Sequence, residues 1–314
     1  MITVDNIADN EHFEYTGDVT VTGDIGKNAT VIIKNGSLIV RGGVGEKSDL
    51  TLSSEKSVVV INHAHFSSSS TVFSANTGYY LQISGNVGDA VKITTTSASI
   101  EVTGTVGKNV QLAANSGDIT AGNVDIHSSL QTNSGSISTG DVGNHASLKT
   151  TSGSIHSKNV GAQASLKTTS GDVSANQVGT NTSLHTTSGN IRAGNVADGA
   201  ILKTINGDAH AGEVGANASL TTMNGDIRVT KAHPSAKLST MTGSIYENGT
   251  KRSKSNPATP SFSSHFSFSG SGVNSVYCAG GRIIVNGQDV SQLMNQAGAS
   301  SAVPTQPPIR FAKK

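Results

Sequence analysis

Asp208 and Asp226 stand 18 residues apart, and each is followed two positions later by a base, His210 and Arg228. If the chain repeats with that period, the two carboxyl groups fall in neighbouring coils about 5 Å apart, the separation used by retaining glycoside hydrolases. The competing reading is structural. Each aspartate follows a glycine, so both suit turns in which neighbouring bases balance them. A sugar-binding cleft also needs inserted loops, and seven successive 18-residue units contain none.

A second set shares the period. Lys149, Lys167, His185 and Lys203 form an outward column beside Thr151, Thr169 and Thr187. Like charges at strand spacing repel, so a bound polyanion would stabilise them, whereas the plainer reading is solubility and edge protection. Without interleaved aromatics, single-stranded nucleic acid is a poor fit. His63 and His65 alternate onto one strand face, and His127 should stack on His145, but no third ligand completes a metal site. Cys278 is a lone cysteine that suits a reducing compartment, and no Ser-His-Asp set or phosphate-binding glycine loop is present. No cofactor, metal or catalytic residue is therefore expected, Asp208, Asp226, His210 and Arg228 being the outside candidates.

The elements that must hold these residues are legible from the repeat. Glycines occur at 117, 135, 153, 171, 189, 207, 225 and 243, every interval being 18, and each opens a Gly-x-[Ile/Val] step except at Gly207, where Ala209 takes the apolar place. A valine column (106 to 214) and a leucine column (112 to 238) keep the same interval. Three apolar columns separated by short polar stretches, too brief for helices, predict a three-sided single-stranded parallel β-helix, all-β, with 18-residue coils. Composition agrees. Hydrophobic residues are 34% and charged residues 14%, and residues 81–245 contain no Phe, Tyr or Trp, which suits a long thin aliphatic core. The net charge of +1 is too small for a disordered chain of such low hydrophobicity, and no apolar run reaches membrane-spanning length.

Stacking turns each column into a ladder. Thr132 through Thr240, again every 18 residues, should point inward beside the leucines and need hydroxyl partners. Ser116 through Asn224, preceding the glycines, should bond local backbone while the glycines adopt special dihedrals. In the N-terminal third, [Val/Ile]-x-Gly-x-[Val/Ile]-Gly recurs at 21–26, 40–45, 83–88 and 102–107; residues 53–80 break the pattern and read as one or two irregular coils with a projecting loop. About 12 coils fit before residue 248, a rod on the order of 55–60 Å at ~4.8 Å per strand.

The Leu-x-Thr-Thr-Ser-Gly-[Asp/Ser/Asn]-[Ile/Val] unit resembles the adhesin-type β-helix repeat of bacterial proteins, and the Val-x-Gly-x-[Ile/Val]-Gly motif resembles bactofilins, polymer-forming cytoskeletal proteins. The resemblance covers roughly residues 16–247 and implies the fold and a capacity for self-association; neither family offers a catalytic residue to carry over. Val142–Ala146 fits one hexapeptide of left-handed helices, but the third side of each coil begins with a polar residue, which favours a right-handed coil.

The solenoid is expected to span 1–247, followed by a linker and β cap over 248–295 and a flexible basic tail over 296–314. Residues 1–247 carry 15 basic and 20 acidic side chains; residues 248–314 carry 7 and one. Phe262, Phe266 and Phe268 alternate with serines as a strand would, and residues 282–290 read as another strand with a turn at Asn286-Gly287. Ile205, Met223 and Met241 continue the column of Thr151 and should form an outward apolar stripe, covered either by those phenylalanines as a cap or by a partner chain. The leading expectation is a non-catalytic scaffold or binding rod for a protein, itself, or a polyanionic or glycan ligand. Two rivals are an exported protein binding a surface ligand through its basic end, and a carbohydrate-active enzyme using Asp208 and Asp226. The start lacks an ordinary secretory signal, so a cytoplasmic location, or export by another route, is expected.

Overall fold

The structure, a computed structural model, describes residues 1–45, 47–54, 58–62, 72–77, 80–252, 276–279, 282–285 and 288–289. The chain divides into two units, Met1–Ser253 and Lys254–Lys314. Among the described residues, the first unit is a parallel β-solenoid made of a 15-stranded and a 13-stranded sheet. Successive coils stack in register, so Leu148 pairs with Leu166 and Leu184, and Ile155 with Val173 and Ile191. The third side is held by single bridges along the valine column, Val106 to Val124 to Val142 to Val160. From Ile155–Val160 onward the strand of the larger sheet runs through to that column.

The interior is aliphatic and narrow. Leucine, isoleucine and valine columns are essentially closed to solvent, with Ala146, Ala164, Ala200 and Ala218 filling the tight corners. The irregular stretch is one lengthened coil, with Asp49 in register with Val72 and Val72 with Lys92, so Phe73 takes a place between Leu50 and Ile93. The loop expected there, with His63 and His65, lies outside the described residues.

The threonine ladder points inward as expected and finds a specific partner. The Thr168 hydroxyl donates to the Gly153 carbonyl at 2.7 Å, and Thr132, Thr150, Thr186, Thr204, Thr222 and Thr240 repeat the bond 15 residues back at 2.7–2.8 Å. In three coils the same oxygen also accepts the N–H of its own coil's glycine, as Thr150 does from Gly153 at 3.2 Å. Each hydroxyl thus acts as a polar rivet between consecutive coils.

The glycines of this column are required by distance, not by dihedral. None has positive φ. A Cβ built on Gly135 through Gly243 would lie 1.8–2.2 Å from the carbonyl oxygen of the glycine one coil below. Positive φ is found at the opposite corner, where Asn109, His127, His145, Gln163, Asn181, Gly199 and Asn217 occupy the left-handed region at 18-residue intervals. The serine column also differs from expectation. The residue after each glycine does the bonding: Asp118, Ser136, Ser154, Asp172, Asn190, Asp208 and Asp226 each accept the backbone N–H of the same position in the next coil, at 2.7–3.2 Å.

The first unit, which runs to Ser253, ends in a hairpin. Ile245–Glu247 turns through Asn248 (φ 47) and Gly249 (φ 73) into the antiparallel Thr250–Lys251, the two positive φ values of a type I′ hairpin. The Glu247 carboxylate accepts the Ala232 N–H and pairs with Arg252, and these two bonds hold it below its usual 4.5. In the second unit, the strand expected over 282–290 is a pair, Arg282–Val285 and Gln288–Asp289, antiparallel to each other, with Val276–Ala279, which holds Cys278, on the far side. Phe262, Phe266 and Phe268 lie outside the described residues.

Two substitutions test this account of the stacking. Gly171→Ala should cost about 2 kcal/mol or more, because backbone 2.2 Å away must move, whereas the exposed neighbour change Ser170→Ala should stay within about 0.5 kcal/mol. Thr168→Val keeps the shape but leaves the buried Gly153 carbonyl without its donor, an expected loss of about 1–3 kcal/mol; outward Thr169→Val should be close to neutral. Chemical denaturation of the four variants measures both.

Candidate functional site

The acid pair sits at the entry to the larger sheet, immediately before Ala209–Val214 and Ile227–Ala232. His210 and Arg228 are in register on those strands and share one outward face. Arg228 reaches both acids, donating to Asp226 Oδ2 at 2.7 Å and to Asp208 Oδ2 at 3.2 Å. The other oxygen of each carboxylate is taken by the chain itself: Asp208 Oδ1 accepts the Asp226 N–H at 2.8 Å, and Asp226 Oδ1 accepts the Ser244 N–H at 2.9 Å. His210 Nε2 lies 3.7 Å from Asp208, and the Arg228 guanidinium stacks over Tyr246, 5.1 Å from the ring centre. A cavity of about 720 Å³ opens beside His210, Arg228, Tyr246 and the Asn248-Gly249 turn.

Partial burial alone would raise the Asp208 pKa, but the Asp226 N–H and the Arg228 guanidinium outweigh it, and the carboxyl is held below its usual 3.8. A carboxyl held in the ionised state is a poor proton donor at neutral pH. Both acids belong to the acceptor column that runs from Asp118 to Asp226, in which Ser136, Ser154 and Asn190 fill the same role.

The second set lies on the outer face of the 13-stranded sheet. Lys149, Lys167, His185 and Lys203 are in direct register on adjacent strands. The three lysines are exposed and His185 is half-buried. Among the described residues none of the three lysines has an ion-pair partner. His185 Nδ1 sits 3.2 Å from the Lys203 carbonyl oxygen; burial first, then the charges of Lys167 and Lys203, push its pKa below the usual 6.5.

Further along this face, Met223 and Met241 are 42% and 67% exposed, and Ile205 is half-buried. Ile201, at 50% exposure on the same coil as Lys203 and on the other side of it from Ile205, is a further exposed apolar residue, in a column that elsewhere holds Ser147, Ser165, Ser183, Ser219 and Lys237. His127 and His145 stack with ring centres 4.8 Å apart and planes 7° from parallel. They occupy the left-handed corner column. Among the described residues no group of three or more His, Cys, Asp or Glu is placed to hold a metal ion.

One feature of the third side escaped the sequence reading. A groove of about 680 Å³ follows the valine column, walled by the row Asp141, Asn159, Gln177, Asn195, Glu213 and Lys231. The row repeats every 18 residues, one place before each valine and, at Lys231, before Ala232, so the signal was present but hidden by the variety of its side chains. Part of it is structural, since Asn159 donates from its amide and its backbone N–H to Asp141 Oδ1, at 2.8 and 3.2 Å.

Residues 142–256 match the Toastrack DUF4097 family. This is a β-solenoid-type repeat family, and the matched segment contains the acid pair, all four residues of the cation row and the terminal hairpin. The match supports the repeat architecture and does not extend to adhesin or bactofilin features. No curated protein and no solved structure matches the chain.

Asp208 favours its ionised form in the folded chain, so its stabilising contribution is present above the usual carboxylate range and lost as pH falls through the depressed value. Asp208→Asn keeps the acceptor for the Asp226 N–H, as Asn190 does one coil below, and removes the charge pairing with Arg228 and His210. The expected loss near neutral pH is under about 1 kcal/mol, as for other exposed ion pairs, and it should shrink on acidification. Melting curves of both proteins across the acid range provide the check.

Proposed function

We propose that the solenoid is a non-catalytic binding rod, presenting flat registered faces to an elongated partner. The observation that carries this reading is the commitment of both oxygens of Asp208 and Asp226 to backbone N–H groups and to Arg228. Retaining hydrolysis needs one carboxylate free to attack and one carboxyl group able to donate a proton, and Asp208, bonded at both oxygens and held towards its ionised form, is poorly suited to either role. The unbroken 18-residue coils also leave the faces flat, without the inserted loops that wall a substrate cleft.

A second reading, association of two rods, draws on the exposed Met223 and Met241 of neighbouring coils. Light scattering separates the two, with a concentration-independent monomer favouring the binding rod and discrete oligomers favouring association.

The test is calorimetry of the full chain against neutral, acidic and basic soluble polymers, with product size followed in parallel. Reversible binding with no shortening of the polymer is expected. Polymer cleavage that disappears in Asp208→Asn, or absence of binding to every polymer, overturns the reading.

A further inference from the structure

The outer face of the last seven strands of the 13-stranded sheet differs in charge from the rest of the rod. Residues 112–247 contain nine acidic side chains, yet the stretches 129–133, 147–151, 165–169, 183–187, 201–205, 219–223 and 237–241, which form this face, contain none. The cations there are compensated neither across strands nor along them, although residues 1–247 carry 15 basic and 20 acidic side chains. Like charges directly opposite on neighbouring strands destabilise a sheet, and here Lys149 faces Lys167, and His185 stands between Lys167 and Lys203. An anionic chain running along the rod axis would meet one cation about every 4.8 Å and remove that repulsion.

The neighbours of the cations narrow the class of ligand. Ser147, Ser165 and Ser183 form a row on one side, and Thr151, Thr169 and Thr187 a row on the other. Hydroxyls donate and accept, so the face offers hydroxyl, cation and hydroxyl in three parallel lines. Nucleic acid bases would need stacking platforms, and residues 81–245 contain no Phe, Tyr or Trp. A polymer that carries acidic groups and many hydroxyls matches all three lines.

We propose that this face binds a linear acidic polysaccharide laid along the rod, its carboxylate or sulfate groups on Lys149, Lys167 and Lys203 and its ring hydroxyls on the serine and threonine rows, with His185 adding a fourth cation on protonation. The proposal rests on the binding-rod reading and gives it a ligand and a face. The pH dependence follows from the neighbours of His185. It faces Lys167 and Lys203 from the strands on either side and no carboxylate, and the burial and charges that favour its neutral form are offset once an anion lies across the row. Binding therefore takes up a proton, and affinity rises as pH falls through the range where imidazole titrates, about pH 5 to 8.

Calorimetry with the full chain tests this, using heparin and polygalacturonate as probes, dextran as the neutral comparison and polyuridylate as the nucleic acid comparison. Both acidic polysaccharides should bind, dextran should not, and affinity should be higher at about pH 5.5 than at about pH 7.5. The triple variant Lys149→Gln, Lys167→Gln, Lys203→Gln should bind at least about tenfold more weakly, as expected for three exposed ion pairs, with unchanged or higher Tm because repulsion is relieved. His185→Gln should keep the affinity at the higher pH and lose the pH dependence. Equal binding by the triple variant, as retention by the basic C-terminal quarter would give, overturns this proposal and leaves the binding rod standing. Preference for polyuridylate over both polysaccharides overturns the ligand class. Absence of binding to any polymer overturns both readings.

Discussion

The close approach of one glycine to the carbonyl of the glycine a coil below is the constraint from which the rest of this solenoid follows. At 1.8–2.2 Å from a hypothetical Cβ, the gap admits only hydrogen, so the corner cannot drift or accept another residue. The carbonyl brought so close is buried, and an unpaired buried carbonyl is costly. The threonine hydroxyl of the next coil pairs it at 2.7–2.8 Å, locking glycine and threonine columns to one period. Once the period is locked, leucine must stack on leucine and valine on valine, and over residues 81–245 a core without aromatics closes at high regularity.

The same locking decides where chemistry can occur. Columns that stitch coil to coil have their polar atoms committed, and the acceptor column that contains Asp208 and Asp226 is one of these. Columns that point away from the sheets have no stitching duty. The outer face of the 13-stranded sheet is largely such a surface: Lys149, Lys167 and Lys203 are exposed there without an ion-pair partner among the described residues, and only His185 reaches a backbone carbonyl of the next coil. Its regularity favours long, repetitive partners over compact ones, since each coil offers nearly the same groups as the last.

Much of this was legible in the residues. The intervals of Gly117 to Gly243, the leucine column and the inward threonines predicted the sheets and their register. Three points were not. The glycines were expected to serve unusual dihedrals, whereas they serve a contact between coils, and contacts across 18 residues leave no local signature. The left-handed corner holds Asn, His, Gln and Gly in turn, because a cost of about 1–2 kcal/mol per residue is tolerated when stacking fixes the backbone. The coil over 49–72 looked irregular because its lengthening hides the alignment of Leu50, Phe73 and Ile93. For the candidate sites, the column logic placed His210 beside Arg228 and Lys149 beside Lys167. It could not show that Arg228 spans both aspartates, since side-chain reach is not written in spacing.

The account's central claim is that the lysine-bearing face is the working surface of the rod. Lysine footprinting by amine acetylation, with and without an acidic polysaccharide, tests it most directly. Protection is predicted at Lys149, Lys167 and Lys203, with Lys158 and Lys231, which lie on strands of the other sheet, remaining reactive. Protection of Lys158 and Lys231 with the three face lysines unchanged would contradict it.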